Sequence, residues 1–291
     1  MKISLNIVFF ALFSPLLWAN NWQPLLDKQL SQWDTYLSYK HSENYDGNVP
    51  LDEKGRAIKP IGLNTGNNIH NVFTVLEQDN QPVLRVSGEY YGAVTSKQSY
   101  RNYHFKLQFR WGDLKWPPRL TKLKDSGILY HAIGEHGQEY WRAWMLSQEF
   151  QIMEGHVGDY WSQATSAIDI RAYQPEYVMN AVADESQDYL KVGNGEALTG
   201  FVLRKENHEK PHGQWNTLEL ICFEGQSLHI VNGQVVMVLK NSRYLKDGIS
   251  TPLIEGKIQL QSEAAEIFYK EIGIKELTAL PALYADLFVT K

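Results

Sequence analysis

Tyr103-His104-Phe105-Lys106-Leu107-Gln108-Phe109-Arg110-Trp111 decides the fold class. Phe105, Leu107, Phe109 and Trp111 share one side, and His104, Lys106, Gln108 and Arg110 share the other, the period-two pattern of a half-buried strand. The same rhythm continues in both directions. Upstream, Val72, Thr74 and Leu76 alternate with Phe73 and Val75, and Val83 to Val86 follows. Downstream come Trp215 to Phe223, Ser227 to Val231, Gln234 to Leu239, Gly256 to Gln261 and Glu266 to Leu277. Asn232-Gly233 joins two of these as a two-residue hairpin turn. Strands separated by Gly, Asn and Pro turns, with almost no helical periodicity, predict one all-β antiparallel sandwich.

The exceptions lie at the start and in the middle. Met1-Lys2, the apolar stretch Ile7 to Leu17 and Trp18-Ala19 read as an export signal over residues 1–19, too short and interrupted for a membrane span. Export places the chain in the periplasm or outside the cell. Trp22, Leu25, Leu26, Leu30, Trp33 and Leu37 are spaced for a short amphipathic helix, and Lys40 to Asn68 reads as a long loop. Residues 20–70 are thus expected to form a helical lead-in packed on a main domain of 71–291. Arg171 to Thr199, with Pro175, Gly193 and Gly195, looks like an insertion or lid.

Composition narrows the function. The 291 residues are 43% hydrophobic and 12% aromatic, enough for a packed core. Net charge is −5, without a basic block, so neither nucleic acid nor, after signal removal, a membrane is an expected partner. A small neutral or mildly polar ligand fits better. Cys222 is the single cysteine, which rules out an intramolecular disulfide and suggests a buried structural thiol.

Chemistry is expected between Asp125 and Trp161. Asp125-Ser126-Gly127-Ile128-Leu129-Tyr130-His131 and Glu149-Phe150-Gln151-Ile152-Met153-Glu154-Gly155-His156 read as two short strands, the second leading into Gly158-Asp159-Tyr160-Trp161. Period two puts Glu149, Gln151 and Met153 on one face and turns Phe150 and Ile152 to the core. A carboxylate beside an amide suits a polyol, since the pair offers both acceptors and donors. A one-residue bulge would bring Glu154 to the face of Glu149. Glu-x-Gln-x-x-Glu is then similar to the Glu-x-Asp-x-x-Glu strand of laminarinase-type glycosidases, with the uncharged Gln151 in place of the central Asp. His131, His136 and His156, near Glu135 and Asp159, match no known metal-binding spacing. Trp161 and Trp116 lie in polar loops and are candidate sugar-stacking surfaces. Trp116-Pro117-Pro118 would hold Arg119 stiffly.

Asp-Ser-Gly-Ile-Leu-Tyr-His resembles the Asn/Asp-Ser-Gly-Ile strand of the 3-keto-disaccharide hydrolase family, and Glu149-Phe150-Gln151-Ile152 its Glu-x-Gln-Ile strand. Trp215-Asn216 with Val231-Asn232-Gly233, and Gly256-Lys257-Ile258-Gln259-Leu260-Gln261 with Ile267 to Leu277, are similar to its later motifs. The likeness runs from Val72 to Leu277, although Tyr269-Lys270-Glu271 replaces the common Phe-Arg-Asn. It implies a concanavalin- or laminarinase-like jelly roll acting on glycosides oxidised to a ketone at C3. The ketone acidifies the C2 proton; its removal expels the C1 substituent by β-elimination, and water then adds, for net hydrolysis. Such a site needs a base, an acid and an enolate donor. Strand position suggests Glu149 as base, His131 as acid or enolate donor and Arg119 as enolate donor. Gln151 would orient hydroxyls and Trp161 would stack, with Glu154, His156, Asp159, Trp116, Tyr130 and Asp125 lining the substrate. No cofactor is expected, and a divalent metal is left open. Two other readings compete: a non-catalytic glycan-binding sandwich, and a retaining glycosidase using Glu149 and Glu154.

Overall fold

The computed structural model describes residues 21–198 and 200–289. The expected export signal at 1–19 lies outside them.

Two antiparallel sheets face each other. The back sheet runs in the order Phe73–Gln78, Gln81–Val86, Ala265–Glu276, Tyr103–Lys115, Asn216–Phe223, Gln226–Val231, Gln234–Lys246, Ser166–Tyr173 and Tyr189–Gly193. The front sheet runs Gly62–Leu63, Trp33–Leu37, Gly92–Ser96, Lys257–Ser262, Asp125–Ile133, Leu146–Met153, Tyr160–Gln163, Phe201–Leu203 and Ala181–Ala183, the last pair being parallel. Ser166–Tyr173 belongs to both. Its first residues pair with Gln234–Lys246, and Ala172 and Tyr173 pair with Ala181–Ala183.

The alternation at 103–111 places its residues as expected. Phe105, Leu107, Phe109 and Trp111 enter the core between the sheets, where they meet Ile128, Tyr130, Phe150, Ile152, Ile258 and Leu260 of the front sheet. Burial of each large apolar side chain contributes about 1.5–3 kcal/mol. Cys222 is buried there, and burial pushes its thiol up to about 12. Asn232 and Gly233 turn with φ of 50° and 83°, the geometry of a two-residue hairpin.

The N-terminal lead-in is not helical. Gln23–Pro24 pairs with Gly273 and Ile274 at the edge of the back sheet, and Trp33–Leu37 pairs with Gly92–Ser96 in the front sheet. The reason is local. The Asp27 carboxylate accepts the amides of Gln29 and Ser31, at 2.9 and 3.0 Å, and Leu30 takes a φ of 52°. That turn breaks any helix, and Trp33 and Leu37 reach the core from a strand instead. The following loop contains a strand, Gly62–Leu63, and one helical turn, Asn67–His70. The 171–199 segment is likewise woven into the sheets through Ala181–Ala183 and Tyr189–Gly193, leaving the tip with Tyr177 and Met179 exposed.

Candidate active site on the outer face of the front sheet

With Ile128, Tyr130, Phe150, Ile152, Ile258 and Leu260 turned to the core, their neighbours in sequence must point the other way. Strand register arranges those neighbours in rows. Glu263 bridges Asp125, which stands opposite Met153. In the next row Ala93, Gln261, Gly127 and Gln151 lie side by side. In the third are Thr95, Gln259, Leu129, Glu149, Trp161 and Phe201. Trp161 stacks on Phe201 with ring centres 4.3 Å apart and stays partly exposed beside Glu149.

Two loops cover part of this face. Trp144 Nε1 donates to the Gly92 carbonyl at 2.8 Å, and the Met145 amide donates to Gln259 Oε1 at 3.0 Å, so the 134–145 loop lies on the sheet. Glu139 holds that loop by accepting the amides of Trp141, Ala143 and Trp144. Burial raises its carboxyl to about 7, although these amide bonds favour the ionised form. The second loop joins at Ser38, whose hydroxyl donates to the Arg142 carbonyl at 2.6 Å, and at Tyr45, which stacks on Trp141.

Beneath lies a dense group of charges. The Arg119 guanidinium bonds both Asp125 and Glu263, the latter at 2.6 Å. Burial works against the Arg119 charge, and Glu263 with Asp125 outweigh it. Burial and the neighbouring Glu263 hold the Asp125 carboxyl well above the usual range, against the pull of Arg119. Glu263 is raised as well, by burial. Glu149 is also held well above its ordinary value, by burial and then by the Glu263 charge, while the bond from Gln163 acts in the opposite direction. Gly127 makes room for the pair: a methyl group there would collide with Glu149 Oε1 and Gln261 Oε1.

Several buried polar atoms in this group have no partner: Glu149 Oε1, both amide atoms of Gln261, Arg119 Nε, the Tyr91 hydroxyl and both His41 ring nitrogens. Buried polar groups are nearly always bonded, because an unmet one costs about 1–3 kcal/mol. Such a concentration of unmet donors and acceptors suits a ligand rich in hydroxyl and carbonyl groups.

The expected residues therefore divide. Glu149, Gln151, Asp125, Arg119 and Trp161 come together. Trp116 flanks them, packed against the buried cluster that includes Tyr91, Ala93 and Leu129, its indole bonded to the Ser87 carbonyl at 3.0 Å. His131 and Tyr130 do not share the site. Strand register shifts between Tyr130 and Ile133, and His131, at a φ of 53°, turns inward against Tyr103 and Tyr130. Burial drives its imidazole down to about 3, so it stays neutral, away from the face that carries Glu149. Tyr130 bonds Ser227 and His229 within the core.

Glu154, His156 and Asp159 also lie elsewhere. The strand ends at Met153 without the bulge that would have returned Glu154 to the face of Glu149. Glu154 accepts the Lys124 amide at 3.4 Å and lines a cleft of about 260 Å³ with Trp111, Glu209 and His212. Asp159 accepts from Arg204 and pairs with His156 Nδ1 at 3.0 Å. His136 stacks on Tyr36. Among the described residues, no three His, Cys, Asp or Glu side chains converge to hold a metal.

Sequence reasoning missed Gln261, Glu263, Gln163, Glu139, Tyr91 and His41. A signal for the first two exists. Gln259, Gln261 and Glu263 alternate with Ile258, Leu260 and Ser262, an unusual polar series for a central strand.

No curated protein matches the chain in sequence. Among solved structures, it is similar to a provisionally assigned glycosyl hydrolase of Parabacteroides distasonis, at 18% identity and a TM-score of 0.46, with 89% of this chain and 100% of that one covered. It is also similar to SCLam, a non-specific endo-beta-1,3(4)-glucanase from family GH16, at 10% identity and 0.42, covering 88% and 92%. A third likeness is to the carbohydrate binding module CBM66 from Bacillus subtilis, at 8% and 0.38, covering 70% and 92%. The family model of the 3-keto-alpha-glucoside-1,2-lyase-like domain matches residues 21–275, and the chain belongs to that family.

Proposed function

We propose that this carbohydrate-acting protein is an exported enzyme that cleaves glycosides carrying a ketone at C3, by elimination followed by hydration. One observation carries the reading. A single guanidinium, Arg119, sits among buried carboxyl groups on a polar sheet face where Glu149 Oε1 and the Gln261 amide are unbonded. Elimination next to a ketone asks for a base, an acid and a fixed positive charge or donor near the ketone oxygen.

The roles follow from the surroundings. Glu149, once ionised, is a strong base for a carboxylate because burial raises its affinity for protons. It takes the C2 proton, and Arg119 stabilises the enolate. When the ketone re-forms, the C1–C2 double bond forms and the C1–oxygen bond breaks. Asp125, whose hold on a proton burial strengthens, gives its proton to the departing oxygen. Water then adds at C1, returning one proton to Asp125, while Glu149 returns the other to C2. Gln151, Gln163 and Gln261 orient hydroxyls, and the Trp161–Phe201 stack offers a flat surface to a sugar ring.

The test uses matched glucosides with and without the C3 ketone. Cleavage of the keto sugar alone, with C2 deuterium lost to solvent, is expected. Glu149→Gln should lower that turnover at least about 100-fold. Cleavage of the unoxidised glucoside, or binding with no release from either, would sink the proposal.

A further inference from the structure

Tyr91 stands just before the Gly92–Ser96 strand, and sequence reasoning gave it no role. Gly92 pairs with Ser262, which sets Tyr91 beside Glu263 and extends the row that continues to Asp125. The side chain is completely buried, and its hydroxyl, close to the Arg119 guanidinium, makes no hydrogen bond of good geometry. The ring is held on several sides: His41 meets it at 4.3 Å and 86°, Trp141 lies at 5.3 Å and Trp144 at 5.8 Å. A phenol fixed so firmly cannot swing to find water. Arg119 Nε, another free donor of this cluster, is unbonded too. Two buried donors without an acceptor, one of them part of a fixed positive charge, are the kind of donor pair that suits an oxygen on which negative charge builds.

Resting on the elimination reading above, we propose that Tyr91 is a catalytic residue whose hydroxyl, together with Arg119 Nε–H, donates hydrogen bonds to the C3 oxygen of the oxidised sugar. No proton leaves Tyr91. The C2–H electron pair moves into a C2–C3 double bond while the carbonyl pair shifts to the C3 oxygen. The two hydrogen bonds strengthen at that moment and relax when the ketone re-forms. Burial, with the Glu263 charge nearby, keeps the phenol protonated well beyond its normal range, so it remains a donor at every working pH.

Tyr91→Phe removes only the hydroxyl. Because that hydroxyl makes no hydrogen bond of good geometry in the protein, the variant should melt at or slightly above the wild-type temperature. Turnover of a 3-keto glucoside should fall about 10²–10³-fold, with KM changed far less, and C2 hydrogen–deuterium exchange should slow in parallel. A spectroscopic arm reads the contact itself. In Glu149→Gln protein, which retains the substrate uncleaved, the bound C3 carbonyl stretch should lie below its solution frequency. Adding Tyr91→Phe should return part of that shift. Turnover and exchange within threefold of wild type would overturn the role of Tyr91 and leave the elimination reading standing. A melting temperature lowered by several degrees would overturn it as well, by showing that the hydroxyl is bonded within the fold. Wild-type protein inert towards the keto sugar would remove both.

Discussion

Glu149 combines two properties that one substitution separates. Its carboxyl is the proposed base, and its proton is retained by burial and by the Glu263 charge. A carboxyl with a raised pKa makes the folded state bind more protons than the unfolded one. The stability it contributes is whole below the ordinary value of 4.5 and declines as pH rises towards the raised one. Gln cannot ionise and keeps the shape. Glu149→Gln should therefore melt above the wild type at pH 8, by roughly 2–4 °C for each kcal/mol gained. Near pH 4.5 the two should nearly coincide. Calorimetric scans at both pH values check this, and a gap that does not grow with pH would show that Glu149 is not held protonated. Loss of turnover with gain of stability in one variant is the signature of a group kept for chemistry at a cost to the fold.

At the scale of elements, the 134–145 loop lies over part of the candidate site's sheet face, and Glu139 is the peg on which it hangs. The carboxylate gathers the amides of Trp141, Ala143 and Trp144 at the turn where the loop returns to the sheet. Glu139→Ala leaves these amides without their acceptor, and amide exchange at the three residues should speed up at least about tenfold, a loss near 1.4 kcal/mol. Exchange confined to wild-type rates would mean that Trp144 and Tyr45 packing alone fixes the loop. Stretches with clear alternation, such as residues 103–111 and 149–152, were legible in the sequence because period two has one structural meaning. Trp22 to Leu37 was not, since its spacing suits a helix until the Asp27 turn and the positive φ of Leu30 intervene. His131 was misplaced for a related reason. A single register shift turned one side chain from the sheet face to the core, and nothing in Tyr130-His131-Ala132 announces it. Glu149 and Asp125 were legible as neighbours because two strands close in sequence carry them. Glu263 and Tyr91 joined them only through pairing between distant strands.

For the whole molecule, the Ser166–Tyr173 strand matters most, because it is hydrogen-bonded into both sheets. Arg171 on that strand is also the anchor of the C-terminal segment. Its guanidinium donates to the carbonyls of Gln187 at 2.7 Å, Leu287 at 2.9 Å and Val289 at 2.6 Å, and it lies over the Tyr189 ring at 4.6 Å. Through it, the turn at Asp286–Phe288 is pressed onto the outer face of the back sheet, where Phe288 covers Ile221, Leu228, Ile230 and Val238. Arg171→Met retains the length and loses all three bonds, while the carbonyls at 287 and 289 are free to turn to solvent. The cost should be about 2 kcal/mol, or roughly 4–8 °C in Tm. Chymotrypsin should then cut at Leu287 or Phe288 before any other bond. Turnover of the 3-keto glucoside should be unaffected below the new melting temperature, since the clamp lies behind the back sheet and the proposed site in front of the other. Activity lost in step with tail release would instead show that the strand shared by the two sheets transmits strain from the outer face to Glu149.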